Sequence, residues 1–267
     1  MAMAEVLSPT LAPAARVDGR SPHQLRPIRF HNHIAPSALG STLIEWGQTR
    51  LICAVSLDPT VPRWKKDQGL PGGWLTAEYS MLPYSTLPRK PREITKGRPE
   101  GRTQEIQRLI GRALRTALDL EKLGERTLWV DCDVLQADGG TRTAAITGGY
   151  VALALAIQRL LQEGVLTESP LLAPVAAVSV GLVEGQVLLD LCYREDLVAA
   201  VDLNLVMNQA GQFIEIQGSG EEATFTQEQL LQMIDLGKTG IAQILQAQQR
   251  ALTRTEPNPA PAPNPTP

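Results

Sequence analysis

Cysteine is scarce in this sequence, and its spacing excludes two common uses. Cys53, Cys132 and Cys192 are the only cysteines in 267 residues, and no two of them form a Cys-X-X-Cys pair. An odd number of widely spaced cysteines gives neither a disulfide framework nor a metal-ligand pattern. We therefore expect a reduced, cytoplasmic protein in which each cysteine is a small buried apolar residue.

Histidine is equally scarce, which narrows the possible chemistry. His23, His31 and His33 all lie near the N-terminus, and a His31/His33 metal site on a strand would lack further ligands nearby. The sequence also lacks a GxxxxGK(S/T) phosphate loop, an HExxH zinc motif and a GxSxG nucleophile motif. These absences argue against P-loop enzymes, zinc proteases and α/β-hydrolases.

Long apolar runs are also missing, since no stretch has the length needed to cross a membrane. Residues 1–20 are rich in Ala and Pro and lack the apolar centre of a signal peptide, and residues 253–267 are rich in Pro. Such segments cannot bury a core. We predict a disordered extension over 1–20, a single domain over 21–252 and a disordered tail over 253–267.

The charge of the whole chain does not indicate nucleic-acid binding, but its distribution does. The formal net charge is −3, whereas the segment from Arg89 to Arg115 holds nine Lys/Arg and three Asp/Glu. A basic segment on a mildly acidic protein is typical of a site for a polyanion. A solvated charged face is the alternative.

The hydrophobic pattern predicts sheets backed by helices. Three short β-rich runs come first, and Gly47-Gln48 between two of them predicts a hairpin. A proline-rich connection over 82–100 separates them from the first long helix. The predicted strands are 41–46, 50–57, 74–81, 127–135, 173–181, 186–192, 201–207 and 212–217, and the predicted helices are 102–123, 143–162 and 227–252. This order favours an α+β or α/β fold.

Glycine, threonine and arginine mark the starts of two predicted helices. One start reads Gly101-Arg102-Thr103 and the other Gly139-Gly140-Thr141-Arg142. A helix start presents unpaired N–H groups and a partial positive charge, and arginine adds a fork of donors matched to phosphate oxygens. If the two ends meet, they form a phosphate cradle with two guanidinium groups. Two ordinary helices with exposed arginines remain the alternative.

The opposite charge is concentrated later in the chain. The segment from Glu184 to Glu222 contains eight acidic residues and one basic residue, including Asp196 and Asp202. Carboxylates suit a hard, hydrated ion such as Mg²⁺, which takes few protein ligands and keeps waters. Structural or solvent-facing aspartates at loop and strand ends are the alternative.

Two long runs of this sequence resemble bacterial ribonuclease PH, a family that trims the 3′ ends of tRNA precursors by phosphorolysis. They are Gly101–Arg115 and Asp131–Ala144, and the likeness extends over roughly residues 20–250. The resemblance implies two βαβα-like halves related to ribosomal protein S5 domain 2. It also implies a homohexamer, a trimer of dimers, with inorganic phosphate as co-substrate.

The resemblance assigns roles to particular positions. It places phosphate against Arg102, Gly140, Thr141 and Arg142, and Mg²⁺ and catalysis at Asp196 and Asp202, with Arg142 also contributing to catalysis. It places tRNA contacts at Arg89 and Arg92. Tyr84 departs from the family, which usually has arginine after Met-Leu-Pro. This departure affects one contact to the RNA backbone, although tyrosine can stack or donate a hydrogen bond.

The expected function is therefore a cytoplasmic phosphorolytic 3′–5′ exoribonuclease, also called a tRNA nucleotidyltransferase, without membrane association. It would release nucleoside diphosphates, and the reaction would be reversible. A non-catalytic, RNA-binding ring subunit of the exosome type is the alternative. Inert relatives would be expected to lose the phosphate arginines or the acidic pair, and this sequence has both.

Overall fold

The first sheet has five strands and contains the predicted hairpin. A computed structural model describes residues 16–221 and 223–253 of the chain. The strands are β1 (Ile28–Asn32), β2 (Gly40–Trp46), β3 (Thr49–Asp58), β4 (Trp74–Met81) and β5 (Thr127–Gln136). Their order is β1-β2-β3-β5-β4, and only β4 and β5 run parallel. The turn at Gly47-Gln48 joins β2 to β3 as predicted, with φ of 58° at Gly47.

The second sheet has four antiparallel strands. They are β6 (Val175–Val183), β7 (Gln186–Leu189), β8 (Val201–Asn208) and β9 (Phe213–Gly220), in the order β7-β6-β8-β9. The predicted strand pairs correspond to β6 with β7 and β8 with β9. The main hydrophobic core contains buried residues from both sheets, and Leu188, Leu191 and Ala199 form a smaller separate cluster.

Helices separate and cover the two sheets. They are α1 (Arg63–Asp67), α2 (Gly101–Arg115), α3 (Thr141–Gln162), α4 (Tyr193–Asp196) and α5 (Gln227–Thr253), with a 3₁₀ turn over Glu93–Lys96. The first half contains the order β4-α2-β5-α3, and the second half reads β6-β7-α4-β8-β9-α5. The predicted α+β class is confirmed.

The first long helix is shorter than the predicted 102–123. α2 ends at Arg115, where Thr116 N–H donates to the carbonyl of Ala113 at 3.2 Å and the Thr116 hydroxyl donates to the same carbonyl at 2.7 Å. The chain then pairs with the segment before β6, through a bridge between Leu118 and Leu171. Apolar residues beyond Arg115 follow helical spacing, but tertiary pairing decides their conformation.

α3 lies between the sheets and is buried on nearly all sides. A Cβ on Gly40 of β2 would lie 2.3 Å from the carbonyl oxygen of Ala152, so the strand and the helix backbone touch there. By length and composition alone α3 is able to cross a membrane, contrary to the sequence expectation that no run is long enough. However, 83% of its most apolar window is buried inside the protein, as in the central helix of a folded core.

The predicted N-terminal extension over 1–20 is wrong at its C-terminal end. Arg16 and Arg20 are buried against the second half of the molecule, and Arg16 donates to Glu195 at 2.6 Å. Arginines without partners would be expelled from such a position, but here each finds carboxylate and carbonyl oxygens. Residues 1–15 and 254–267, where the rest of the extension and nearly all of the tail were predicted, lie outside the described residues.

Candidate active site

The starts of α2 and α3 meet at one cavity of about 680 Å³. All six predicted phosphate-binding and catalytic residues line it: Arg102, Gly140, Thr141, Arg142, Asp196 and Asp202. The other residues of its wall come from the end of β4 with the segment that follows, the end of β5 with the loop that follows, and the second sheet with α4. They are Met81, Tyr84, Ser85, Thr86, Leu87, Gln136, Ala137, Gly139, Ser179, Tyr193 and Asn204.

The backbone turns sharply into α3 at two glycines. Gly139 and Gly140 have φ of 76° and 65°, in the left-handed region that glycine adopts without strain. A Cβ on Gly139 would lie 2.6 Å from the carbonyl oxygen of Leu191, so the two loops touch. No side chain caps the start of α3, and its first turn has no acidic residue. The N–H groups there are therefore available to an anion in the cavity.

Arg142 is held from two neighbouring elements. Its Nη1 donates to Oε1 of Gln217 on β9 at 2.5 Å and lies 3.5 Å from Oε2 of Glu105 on α2. Gln217 Nε2 in turn donates to Glu105 Oε1 at 3.0 Å. This network fixes one edge of the guanidinium, while Arg142 still lines the cavity and Arg102 is exposed at the first turn of α2.

The side chain of Thr141, the first residue of α3, is held by a hydrogen bond from the first sheet. The hydroxyl of Tyr79, on β4, donates to Thr141 Oγ1 at 2.8 Å. Burial raises the pKa of Tyr79, so its hydroxyl stays protonated and remains a donor. The Thr141 side chain is thereby fixed, and its backbone N–H is presented at the helix start.

Asp196 and Asp202 supply the negative charge of the site. Burial, followed by the repulsion of Asp196, raises the pKa of Asp202 to about 6, although Arg142 opposes the shift. Burial also raises the pKa of Asp196, against the attraction of Arg102 and Arg142. Each carboxylate therefore lies within the electrostatic reach of both arginines and beside a second carboxylate.

The Asp202 carboxylate also has an unused acceptor. Asn204 Nδ2 donates to Asp202 Oδ2 at 3.2 Å, but Oδ1 is buried without a hydrogen-bond partner. A bare, buried carboxylate oxygen beside a second carboxylate suits a cation. Within residues 16–221 and 223–253 no group of three or more His, Cys, Asp or Glu is placed to hold a metal ion, so a metal ion here would keep several waters.

A buried ion pair connects the loop before α3, which contains Asp138, to the loop after β7, which contains Asp190. Arg26 Nη2 donates to Asp190 Oδ1 at 2.6 Å, and Arg26 Nη1 donates to the carbonyl oxygen of Asp138. Trp46 Nε1 donates to the same Asp190 carboxylate at 2.8 Å. Asp190 adopts a φ of 57°, which the surrounding contacts hold in place.

A second buried pair fixes the short helix that carries Asp196. Arg16 donates to both carboxylate oxygens of Glu195, at 2.6 and 2.8 Å, and Glu195 Oε2 accepts the N–H of Cys192 at 3.0 Å. Arg16 Nη1 also donates to the carbonyl of Leu189 at 2.8 Å. The N-terminal segment thus determines where α4 begins and where Asp196 lies.

The structure leaves the two predicted RNA-binding residues outside the cavity. Arg89 and Arg92 are exposed on the proline-rich connection, and they are absent from the cavity wall. Tyr84 of the same connection is 67% exposed and does line it. Ser85, Ser179 and Asn204 are wall residues that no motif indicated, since a single serine or asparagine carries no spacing signal.

The cavity therefore joins two kinds of chemistry. Arginines and helix N–H groups form a wall that stabilises negative charge, and two carboxylates with raised pKa values face it. Such a site can bind an anion, place it against a second anionic group and handle a proton or a cation at the leaving atom.

Solved structures of other proteins share this fold. A rice (Oryza sativa) Rrp46 structure matches with a TM-score of 0.69 at 22% identity, covering 89% of this chain and 100% of that one. A structure titled as the Archaeoglobus fulgidus exosome with RNA bound to the active site matches with a TM-score of 0.72 at 20% identity, covering 87% and 92%. At this identity the likeness concerns the fold alone.

Sequence relatives are much more similar. Ribonuclease PH of Corynebacterium kroppenstedtii is 54% identical over 242 residues, covering 91% of this chain and 94% of that protein. Ribonuclease PH of Acaryochloris marina is 58% identical over 237 residues, covering 89% and 98%. Family models described as 3′ exoribonuclease family, domain 1 and domain 2, match residues 24–157 and 173–240. With both models matched and such relatives covered almost completely, the chain belongs to the ribonuclease PH family of 3′ exoribonucleases.

Proposed function

We propose that the cavity between α2 and α3 is where this chain carries out the activity of its family. That activity is phosphorolytic 3′–5′ exoribonucleolysis, in which inorganic phosphate is the co-substrate and the 3′ extensions of tRNA precursors are trimmed. The observation that carries the proposal is the convergence of two arginines, one uncapped helix start and two carboxylates on one cavity wall.

Inorganic phosphate is assigned to the cationic wall. The N–H groups of Gly140 and Thr141 and the guanidinium groups of Arg102 and Arg142 match its oxygens in charge and in donor type. A phosphate oxygen attacks the phosphorus of the last phosphodiester, and the bond from that phosphorus to the preceding 3′ oxygen breaks. Because two anions approach each other, neutralising their charge is the main task of the site.

We assign the leaving 3′ oxygen to the part of the cavity wall that carries Asp196 and Asp202. Asp202, with a pKa of about 6, retains a protonated fraction near neutral pH and is the first candidate to supply the proton. Asp196 and Asp202 would also hold Mg²⁺, which supplies positive charge next to the reacting groups. The products are a nucleoside diphosphate and an RNA shortened by one nucleotide. Because the phosphoryl bond energy is retained, the reaction is reversible.

RNA beyond the reacting end is assigned to the proline-rich connection. Arg89 and Arg92 are exposed there, and exposed arginines suit contacts to the phosphates of an RNA backbone. Tyr84 belongs to the same connection and lines the cavity. Tyrosine in place of the family arginine replaces an ionic contact with a stacking surface or one hydrogen bond.

The oligomeric state and the cellular location are proposed from the resemblance to the family, and exposed apolar residues support the oligomer. We propose a homohexamer, a trimer of dimers, in the cytoplasm. Leu197 and Val198, which are adjacent in the chain after α4, are 70% and 61% exposed, and exposed apolar surface of this kind is typical of a face that a neighbouring subunit covers. The three cysteines are free and buried, as suits a reducing compartment. A solution mass of six chains would support this assembly.

The function is tested by identifying the released nucleotide. The purified protein is incubated with Mg²⁺ and a tRNA carrying extra 3′ nucleotides, with and without inorganic phosphate. We expect nucleoside diphosphates, released only when phosphate is present. Release of nucleoside monophosphates in the absence of phosphate would mean that the protein hydrolyses RNA. The assignment of phosphate to Arg102, Arg142 and the start of α3 would then be wrong. Bound but uncut tRNA would favour the non-catalytic subunit.

Arg142→Ala should reduce phosphorolysis severely. Loss of a preorganised donor to the developing charge should cost on the order of 2–4 kcal/mol of transition-state stabilisation, together with phosphate affinity. The measurement is kcat/KM at varied phosphate. Arg112→Ala is the matched control, since Arg112 pairs with Glu215 at 2.7 Å outside the cavity and should leave turnover intact. Equal turnover of Arg142→Ala and the unmodified protein would refute the assignment of phosphate to Arg142.

Asp202→Asn should abolish turnover and stabilise the fold near neutral pH. The folded pKa of Asp202, about 6, lies above the ordinary pKa of an aspartate, 3.8, so the folded protein holds this proton more tightly than the unfolded chain. The ionised carboxylate therefore lowers stability progressively as pH rises from 3.8 to about 6. We expect a gain of about 1–3 kcal/mol above that range, measured by denaturant unfolding with a chelator present.

The gain should shrink as pH falls toward about 4, where Asp202 is protonated in both states. Asp235→Asn is the control, because the Asp235 side chain is 76% exposed and should show no such pH-dependent gain. A constant stability difference across the pH range would show that the Asp202 carboxyl is not perturbed.

Arg89→Ala with Arg92→Ala should weaken tRNA binding and flatten its salt dependence by about one unit of slope per lost phosphate contact. Arg63→Ala is the control, since the Arg63 side chain is 95% exposed and lies in α1, outside the proline-rich connection. Binding is measured over a series of salt concentrations. An unchanged slope in the double variant would place the RNA elsewhere.

A further inference from the structure

Ser85 occupies a fixed position on the cavity wall, in the segment directly after β4. Its N–H donates to the carbonyl of Leu82 at 2.9 Å, and its carbonyl accepts the N–H of Ala137 at 2.8 Å. Ala137 directly precedes the loop that leads into α3. The backbone of Ser85 is therefore tied to the loop that presents the phosphate-binding N–H groups.

The Ser85 hydroxyl is buried and has no hydrogen-bond partner. Within the described ranges five side chains have such an atom: Arg20, Asn32, Ser85, Asp202 and Gln248. Only Ser85 and Asp202 among them line the reaction cavity. Leaving a buried hydroxyl unpaired costs about 1–3 kcal/mol. Ser85 is only 3% exposed, so a ligand that enters the cavity and accepts a hydrogen bond from its hydroxyl would remove this cost.

The surroundings indicate what that partner is. A serine hydroxyl donates one hydrogen bond, and the same wall carries Arg102, Arg142 and the uncapped start of α3. All of these groups select an acceptor with negative charge. We propose that Ser85 Oγ donates a hydrogen bond to a phosphate oxygen bound in this cavity. The oxygen belongs either to inorganic phosphate or to the terminal phosphodiester of the RNA. This inference rests on the function proposed above.

Ser85→Ala tests the inference because a ligand contact and a structural role predict opposite results. Removing a donor to a charged acceptor should lower kcat/KM on the order of ten- to a hundredfold. Removing a hydroxyl that lacks a partner in the free protein should leave the thermal unfolding midpoint unchanged or raise it. Ser85→Cys, which keeps a weak donor of similar shape, should recover part of the lost activity.

Ser41→Ala is the matched control. Ser41 is also buried, but its Oγ accepts the N–H of Ala35 at 2.9 Å, and it does not line the cavity. We expect this variant to unfold at a lower temperature and to keep its kinetic constants. Ser85→Ala should therefore lower activity without lowering the unfolding temperature, whereas Ser41→Ala should lower the unfolding temperature without lowering activity.

Two binding measurements identify the source of the oxygen. Calorimetry with inorganic phosphate alone reports the first source, and binding of a short single-stranded RNA without phosphate reports the second. A loss of affinity in Ser85→Ala in either arm supports the inference and names its ligand. Both arms remain informative if the unmodified protein fails to release diphosphates, so failure of the proposed function is recognised separately.

The inference is overturned if Ser85→Ala keeps both affinities and kcat/KM. It is also overturned if Ser85→Ala loses stability as Ser41→Ala does while its kinetic constants stay unchanged, because the hydroxyl would then serve the fold.

Discussion

The site depends on the buried ion pair between Arg26 and Asp190. The pair joins a residue before the first strand to a loop of the second sheet, 164 positions later in the chain. Through the carbonyl of Asp138, Arg26 also holds the turn that precedes α3. A buried pair of this kind adds little net stability, because desolvation offsets most of the attraction, but breaking one partner leaves an uncompensated charge. Its main consequence is therefore geometric: the turn before α3 and the loop that contains Asp190 keep one relative position.

The site itself is electrostatically unfavourable in the free protein. Asp202 keeps a raised pKa beside Asp196, one of its oxygens is unpaired, and the start of α3 has no cap. Each feature opposes folding, and each would be relieved by a ligand of the matching charge: an anion at the start of α3, and a proton or a cation at Asp202. The surrounding pairs, such as Arg16 with Glu195, keep these groups in place while they lack ligands.

Local patterns predicted most of the elements and the helix starts of the site. The alternation around Gly47 gave the hairpin, and glycine followed by threonine and arginine marked the starts of α2 and α3. The end of α2 was wrong because the residues after Arg115 keep helical spacing while pairing with a distant segment. The extension was drawn too long because composition does not show that Arg16 has a buried partner.

The sequence did not reveal the site residues whose role depends on a partner far away in the chain. Arg26 and Arg16 read as ordinary charged residues near a terminus, and only their partners, 164 and 179 positions away, make them part of the site. Ser85 is less visible still, because what distinguishes it is a missing hydrogen bond. Spacing can mark where a backbone is able to bind an anion. A group whose partner is the substrate becomes recognisable only when every other polar group around it has been accounted for.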